Sequence, residues 1–229
     1  MQQLPLGVQL RATAVFTSYA PGRNAAALAA VEHLVSAGAG APLWLWGAAG
    51  SGKTHLLQSA LAAWDEANGA AAYLPLALPG LQASMLAGLE NFGLVALDEV
   101  DAVAGNTAME TALFHLWNGL LERGGCVLLG ARQPPAGVGI RLPDLASRFA
   151  SSLVMQLHVP DDTELPEVLR VMADQRGLEL GPGVAAFLLR RVRRDTHQLT
   201  VLMERLDAAA LAAQRALTVP FVREVIGGG

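Results

Sequence analysis

Along this chain, short apolar runs alternate with longer stretches in which apolar residues return every three or four positions. The short runs are Leu43-Trp44-Leu45-Trp46, Ala71-Ala72-Tyr73-Leu74, Leu94-Val95-Ala96-Leu97, Cys126-Val127-Leu128-Leu129 and Leu153 to Leu157. Each is too short for a stable helix, and with almost no polar residue interleaved each suits a strand buried on both faces. The longer stretches predict helices. One opens at Pro21-Gly22-Arg23-Asn24, runs to about Ser36 and stops at Gly38-Ala39-Gly40. A second, Lys53 to Asn68, gathers Leu56, Leu57, Ala60, Leu61 and Trp64 on one face and ends at Gly69. A third, Thr107 to Glu122, carries a stripe of Leu113, Leu116, Trp117 and Leu120. Strands alternating with helices in this way predict an α/β domain built on a parallel sheet. After Pro160 the strand pattern stops. Helical segments at about 161–176, 182–193 and 195–215, and a short one from Val219, predict a small all-helical domain.

Composition narrows the class. The chain has 229 residues, of which 52% are hydrophobic and 16% charged, with a net charge of −4. No stretch approaches the ~20 apolar residues of a membrane span, and Met1-Gln2-Gln3-Leu4 lacks the basic start of a secretory signal. The lone Cys126 lies in an apolar run and reads as a small buried hydrophobe. A cytoplasmic protein with no membrane partner is expected. The mild acidity argues against a chain built to coat nucleic acid. The cluster Arg190-Arg191-Val192-Arg193-Arg194 fits a solvated helix face better than a DNA contact. His33, His55, His115 and His158 show no metal-ligand spacing.

The 16 basic residues are 15 Arg and one Lys, and that Lys sits in Gly47-Ala48-Ala49-Gly50-Ser51-Gly52-Lys53-Thr54. This is a complete G-x-x-x-x-G-K-[ST] P-loop between a predicted strand and a predicted helix. Its glycines let successive backbone N–H groups turn around phosphate oxygens, and the helix N-terminus adds positive potential. Lys53 would reach the β- and γ-phosphates as a compact charge, and Thr54 would place its hydroxyl on Mg²⁺. The third strand ends in Asp98-Glu99. Asp98 would lie beside the P-loop as the second Mg²⁺ anchor, with Glu99 placed to orient and deprotonate an attacking water.

The sequence resembles ATPases of the AAA+ class and, within that class, the Hda family of DnaA-related regulators of bacterial replication initiation. The resemblance is carried by Phe16 to Asn24, Lys53-Thr54-His55-Leu56-Leu57, Tyr73-Leu74-Pro75-Leu76, Leu142-Pro143-Asp144-Leu145-Ala146-Ser147-Arg148 and Leu217-Thr218-Val219-Pro220-Phe221-Val222. It implies three parts: an N-terminal clamp-binding peptide and linker at 1–20, an AAA+ α/β nucleotide-binding domain at 21–159, and a helical lid domain at 160–229. It also implies an adaptor with ADP or ATP and Mg²⁺ as ligands. Such an adaptor attaches to the DNA-loaded sliding clamp, the β subunit of DNA polymerase III, and drives hydrolysis of ATP held by DnaA. A homo-oligomer is compatible with this role. Since the sequence stops at Gly229, just past the lid, DNA contact is expected only indirectly, through the clamp.

Residue by residue, the resemblance assigns Arg148 as an arginine finger acting in trans, against the plain alternative of a surface Arg. It places residues 47–55, His55 included, on the phosphates, and Phe16, Tyr19 and Pro21 near adenine, although the aromatics fit equally well as core residues. Three departures qualify it. The stretch after the fourth strand, Gly130-Ala131-Arg132-Gln133, offers none of the small polar residues normally found at the sensor-1 position. At the sensor-2 position His197 stands where an Arg is usual, so it either contacts phosphate more weakly or is an ordinary helix-surface His. Both changes weaken the expectation of efficient hydrolysis by the chain itself. In the clamp-binding peptide, Gln2-Gln3-Leu4-Pro5-Leu6 keeps Leu-Pro-Leu but holds its Gln one or two residues too close. Two other readings stand beside the adaptor: a self-sufficient ATPase or helicase-loader-like motor working from Lys53, Asp98 and Glu99, and a DnaA-like initiation protein contacting DNA through the Arg190–Arg194 cluster.

Overall fold

The structure is a computed structural model that describes residues 14–191 and 196–227. It comprises two compact units. Residues 14–16 with Arg23–His158 form the first, and Thr17–Gly22 with the described residues from Val159 onward form the second.

The first unit is an α/β layer structure. Its elements are α1 (Ala25–Ala37), β1 (Leu43–Trp46), α2 (Lys53–Asn68), β2 (Ala71–Pro75), β3 (Leu94–Asp98), α3 (Thr107–Glu122), β4 (Cys126–Ala131), α4 (Pro143–Ala150) and β5 (Leu153–Gln156). The five strands are parallel and lie in the order β2-β3-β4-β1-β5. After β1 the chain crosses to the far edge and returns through β3 and β4, so the strand order reverses around β1. Such a reversal opens a crevice at the carboxyl ends of the strands. The strand side chains alternate between faces. Trp44, Val95, Leu97, Val127 and Leu129 join one buried cluster with Leu113, Trp117 and Phe149 of α3 and α4. On the other face Gly130 of β4 meets Leu57 of α2.

All five strands and three helices lie where the hydrophobic pattern put them, with ends differing by one or two residues. Two differences have physical causes. Strand β5 is an edge strand, so Leu153 and Val154 remain 52% and 38% exposed rather than covered on both faces. Helix α4, only eight residues long, did not register as a separate apolar period; it starts on Pro143, a residue suited to a first helical position.

The second unit packs α5 (Leu165–Asp174), α6 (Pro182–Arg191), α7 (Thr196–Ala213) and α8 (Val219–Gly227) around Leu169, Leu188, Met203, Leu206 and Val222.

Candidate functional site

The P-loop bridges β1 and α2. Gly47 extends the β1–β4 ladder by donating its N–H to the Ala131 carbonyl at 3.2 Å. It passes so near the chain after β5 that a Cβ there would sit 2.2 Å from the Leu157 carbonyl oxygen. Only glycine fits that approach. The loop turns through left-handed Gly50 and Gly52, with φ of 80° and 94°, and Gly52 then accepts the first backbone hydrogen bond of α2 from Leu56. The loop is therefore shaped as a cradle that side chains would fill. Ser51 is buried inside it, while Ala48 and Ala49 are exposed at its rim.

Lys53 begins α2 and folds back into the loop. Its ammonium donates to the carbonyls of Gly47 at 2.7 Å and Ala48 at 3.0 Å, and to Ser51 Oγ at 3.5 Å. Burial lowers its pKa, offset in part by the charges of Asp98, Asp101 and Glu99, while Arg132 adds to the lowering. A partly desolvated cation held by oxygens of its own loop can exchange them for phosphate oxygens.

Asp98 ends β3 and is 2% exposed. Thr54 donates its hydroxyl to Asp98 Oδ2 at 2.5 Å, and the Tyr73 hydroxyl donates to the same oxygen at 3.1 Å. The other oxygen accepts the N–H of Glu99 at 2.9 Å. The two residues expected to share Mg²⁺ are thus in direct contact. Glu99 itself is exposed and holds the left-handed conformation, with φ 57° and ψ 44°. A non-glycine residue kept in that region stores strain, commonly at functional sites. His55 turns toward Val15, its Nε2 3.3 Å from that carbonyl oxygen. Phe16 belongs to the first unit, whereas Tyr19 and Pro21 group with the second. Position 197 lies in the first turn of α7, but its side chain, like residues 1–13 with Gln2, Gln3, Leu4, Pro5 and Leu6, lies outside the described residues.

Sequence reasoning missed two contributors. Tyr73, which appeared only within a quoted segment, reaches Asp98 because β2 pairs with β3 in a register that sets Tyr73 opposite Ala96 and Pro75 opposite Asp98. Its hydroxyl also hydrogen-bonds Gln58. Glu110 is 1% exposed, and its carboxylate holds the backbone before α4. The signal for it was present, since Glu110 falls on the stripe of Leu113, Trp117 and Leu120. A carboxylate on a core stripe requires partners.

Arg148 lies in the last turn of α4. Leu145 and Phe149 of that helix are buried, while Arg148 points away, exposed, with no hydrogen bond or ion pair of its guanidinium among the described residues. The Phe149 ring sits 5.0 Å from that of Trp44 and 5.6 Å from that of Trp117, fixing this end of the helix.

A parallel sheet in the order β2-β3-β4-β1-β5, a P-loop after β1, a buried carboxylate closing β3 and a compact helical unit are the features of the AAA+ fold. Solved structures agree on the fold. Domain III of the replication initiation protein DnaA from Thermotoga maritima superposes with a TM-score of 0.80 at 24% identity, covering 96% of this chain and 98% of that one. AMPPCP-bound DnaA from Aquifex aeolicus matches with a TM-score of 0.70 at 20% identity, over 86% and 66% of the two chains. The RuvB Holliday junction branch migration motor of T. maritima matches at 0.63 and 19%, over 87% and 66%. Within the chain, residues 161–226 match the family model of the Hda lid domain. The chain thus has the fold of DnaA domain III and carries a lid of the Hda type over residues 161–226. Among the described residues, no helix is long and apolar enough to cross a membrane.

Proposed function

We propose that this chain is a nucleotide-binding adaptor that restrains bacterial replication initiation by stimulating hydrolysis of ATP held by DnaA. The observation that carries this reading is an Hda-type lid in the same chain as Arg148, which is exposed and without a partner among the described residues at the end of a firmly anchored helix. An arginine entering a neighbouring nucleotide site neutralises charge on the transferred phosphoryl group and is worth about 10³–10⁵ in rate.

The chain's own site takes ADP or ATP. Lys53 exchanges the carbonyls of Gly47 and Ala48 for phosphate oxygens, and the loop Gly47–Thr54 supplies N–H donors. Thr54 and Asp98, already hydrogen-bonded to one another, hold Mg²⁺. Bound Mg²⁺ supplies charge neutralisation of the phosphates; the chain supplies the cradle and its orientation. Glu99 is the residue that would orient water in any turnover by the chain itself. His55, His197, Phe16, Tyr19 and Pro21 complete the assignment by resemblance. The peptide Gln2–Leu6 docks on the sliding clamp, with Leu4 and Leu6 as apolar anchors.

The deciding experiment combines the protein with ATP-loaded DnaA, sliding clamp and DNA, and follows ADP formation. Acceleration that disappears with Arg148→Ala is expected. No acceleration, or acceleration that Arg148→Ala leaves intact, overturns the proposal.

A further inference from the structure

Glu110 is a charged side chain with 1% exposure in the first turn of α3, and it is not among the residues assigned to the nucleotide. Its carboxylate is fully engaged by backbone. Oε1 accepts the N–H groups of Gly105 at 2.6 Å and Arg141 at 3.1 Å, while Oε2 accepts those of Arg141 at 3.0 Å and Leu142 at 2.7 Å. Burial alone would raise its pKa, but these three backbone donors and the nearby Arg141 charge hold it below the usual carboxylate range. The donors come from two loops. Gly105 closes the segment that follows Asp98 and Glu99, whereas Arg141 and Leu142 lead directly into α4.

Helix α4 has no side-chain cap of its own; Leu142 occupies the capping position. The carboxylate that binds the Leu142 N–H therefore belongs to another helix, and it anchors the start of α4 to α3. The far end is anchored separately by Phe149 against Trp44 and Trp117. Leu145 and Phe149 hold the later turns in the core, and the Glu110 anchor fixes the tilt of the first turn about them. Arg148, adjacent to Phe149, turns with the axis if the Glu110 anchor is lost.

We propose that Glu110 is a positioning residue for Arg148: by pinning Arg141 and Leu142 it sets the direction from which the arginine is presented to a partner's nucleotide. The inference rests on the adaptor reading above. Displacements of about 1 Å in a positioned group can cost about 10²-fold in rate, so loss of one anchor is expected to lower the rate about tenfold or more.

The test is Glu110→Gln, which keeps size but replaces one acceptor oxygen with an amide facing N–H donors. Amide hydrogen exchange of the full chain is expected to quicken at residues 105 and 138–142 and to stay within about twofold elsewhere. In the DnaA assay the saturating rate is expected to fall about tenfold or more. The adaptor concentration giving half-maximal stimulation stays constant, which general destabilisation would raise instead. Glu110→Asp, which keeps the charge but retracts it by one methylene, should lie between the two and serves if the Gln variant cannot be purified. Unchanged exchange at 138–142 overturns the anchoring. Faster exchange there, with stimulation unchanged and still abolished by Arg148→Ala, overturns the positioning role alone. Stimulation insensitive to both Arg148→Ala and Glu110→Gln overturns the positioning role together with the adaptor reading.

Discussion

The nucleotide cradle and helix α4 handle a conserved problem, the placement of a cation, in opposite ways. Lys53 is turned inward, and its ammonium has three acceptors within its own loop. Asp98 beside it is buried under three donors from α2, β2 and the next residue. Arg148 is turned outward and has no partner among the described residues, although the helix beneath it is held at both ends. One region is closed on itself and needs a small ligand to exchange for carbonyls. The other is held from behind and leaves its guanidinium exposed, the arrangement that the adaptor proposal requires.

The comparison can be broken most directly at Arg148. Arg148→Ala is expected to cut stimulated hydrolysis of DnaA-bound ATP by about 10³-fold, while the chain's own nucleotide affinity, measured with a fluorescent nucleotide, stays within about twofold. Equal losses in both measurements would mean that the two regions are one site. Lys53→Ala reverses the pattern. Losing charge-assisted bonds to phosphate should cost about 3 kcal/mol, or about 100-fold in affinity, and leave hydrogen exchange at 138–150 unchanged.

Between these lies Gly130→Ala, which probes the packing of the cradle. A Cβ at position 130 would lie 2.6 Å from Asp98 Oδ1 and 2.8 Å from Leu57 Cδ1. Overpacking of this kind costs about 1–3 kcal/mol, and the nearer neighbour is the carboxylate. Nucleotide affinity should fall about tenfold in Mg²⁺ and far less in EDTA. An equal loss in both would locate the damage in the Leu57 packing rather than in Asp98.

The sequence was most informative where structure is local. The P-loop is a contiguous string, and α2 and α3 begin and end as their apolar periods and flanking residues indicate. It was least informative where the partner is distant along the chain. Tyr73 meets Asp98 through strand register, 25 residues away, and nothing in its apolar run marks the hydroxyl as engaged. Glu110 could have been found from its place on a buried stripe, but its partners at 141 and 142 could not, since they are backbone groups and carry no sequence signal. The exposed edge β5 shows the converse: an apolar run records strand character without recording whether a neighbour covers it.

The smallest expected effect tests how much of the cradle is preset. Tyr73→Phe removes one donor from Asp98 and leaves the ring, so affinity for Mg²⁺-nucleotide should fall only about fivefold, the worth of about 1 kcal/mol. A second readout is independent of ligand. Burial, then the charge of Asp98 and the hydrogen bond to it, push the Tyr73 phenol well above its ordinary range. In the unfolded chain it ionises near pH 10. The folded state therefore keeps a proton that the unfolded state gives up, and the stability this group contributes is complete below about pH 10 and lost as pH rises above it. The urea midpoint of the parent protein should fall steeply above about pH 10, and the fall should be shallower in Tyr73→Phe. Absorbance titration of the folded protein near pH 10 should give the same curve for the parent and for Tyr73→Phe. If the parent instead shows an extra phenol ionising there that Tyr73→Phe lacks, Tyr73 is open to solvent, Asp98 lacks its third donor, and the cradle is no more closed than the helix that carries Arg148.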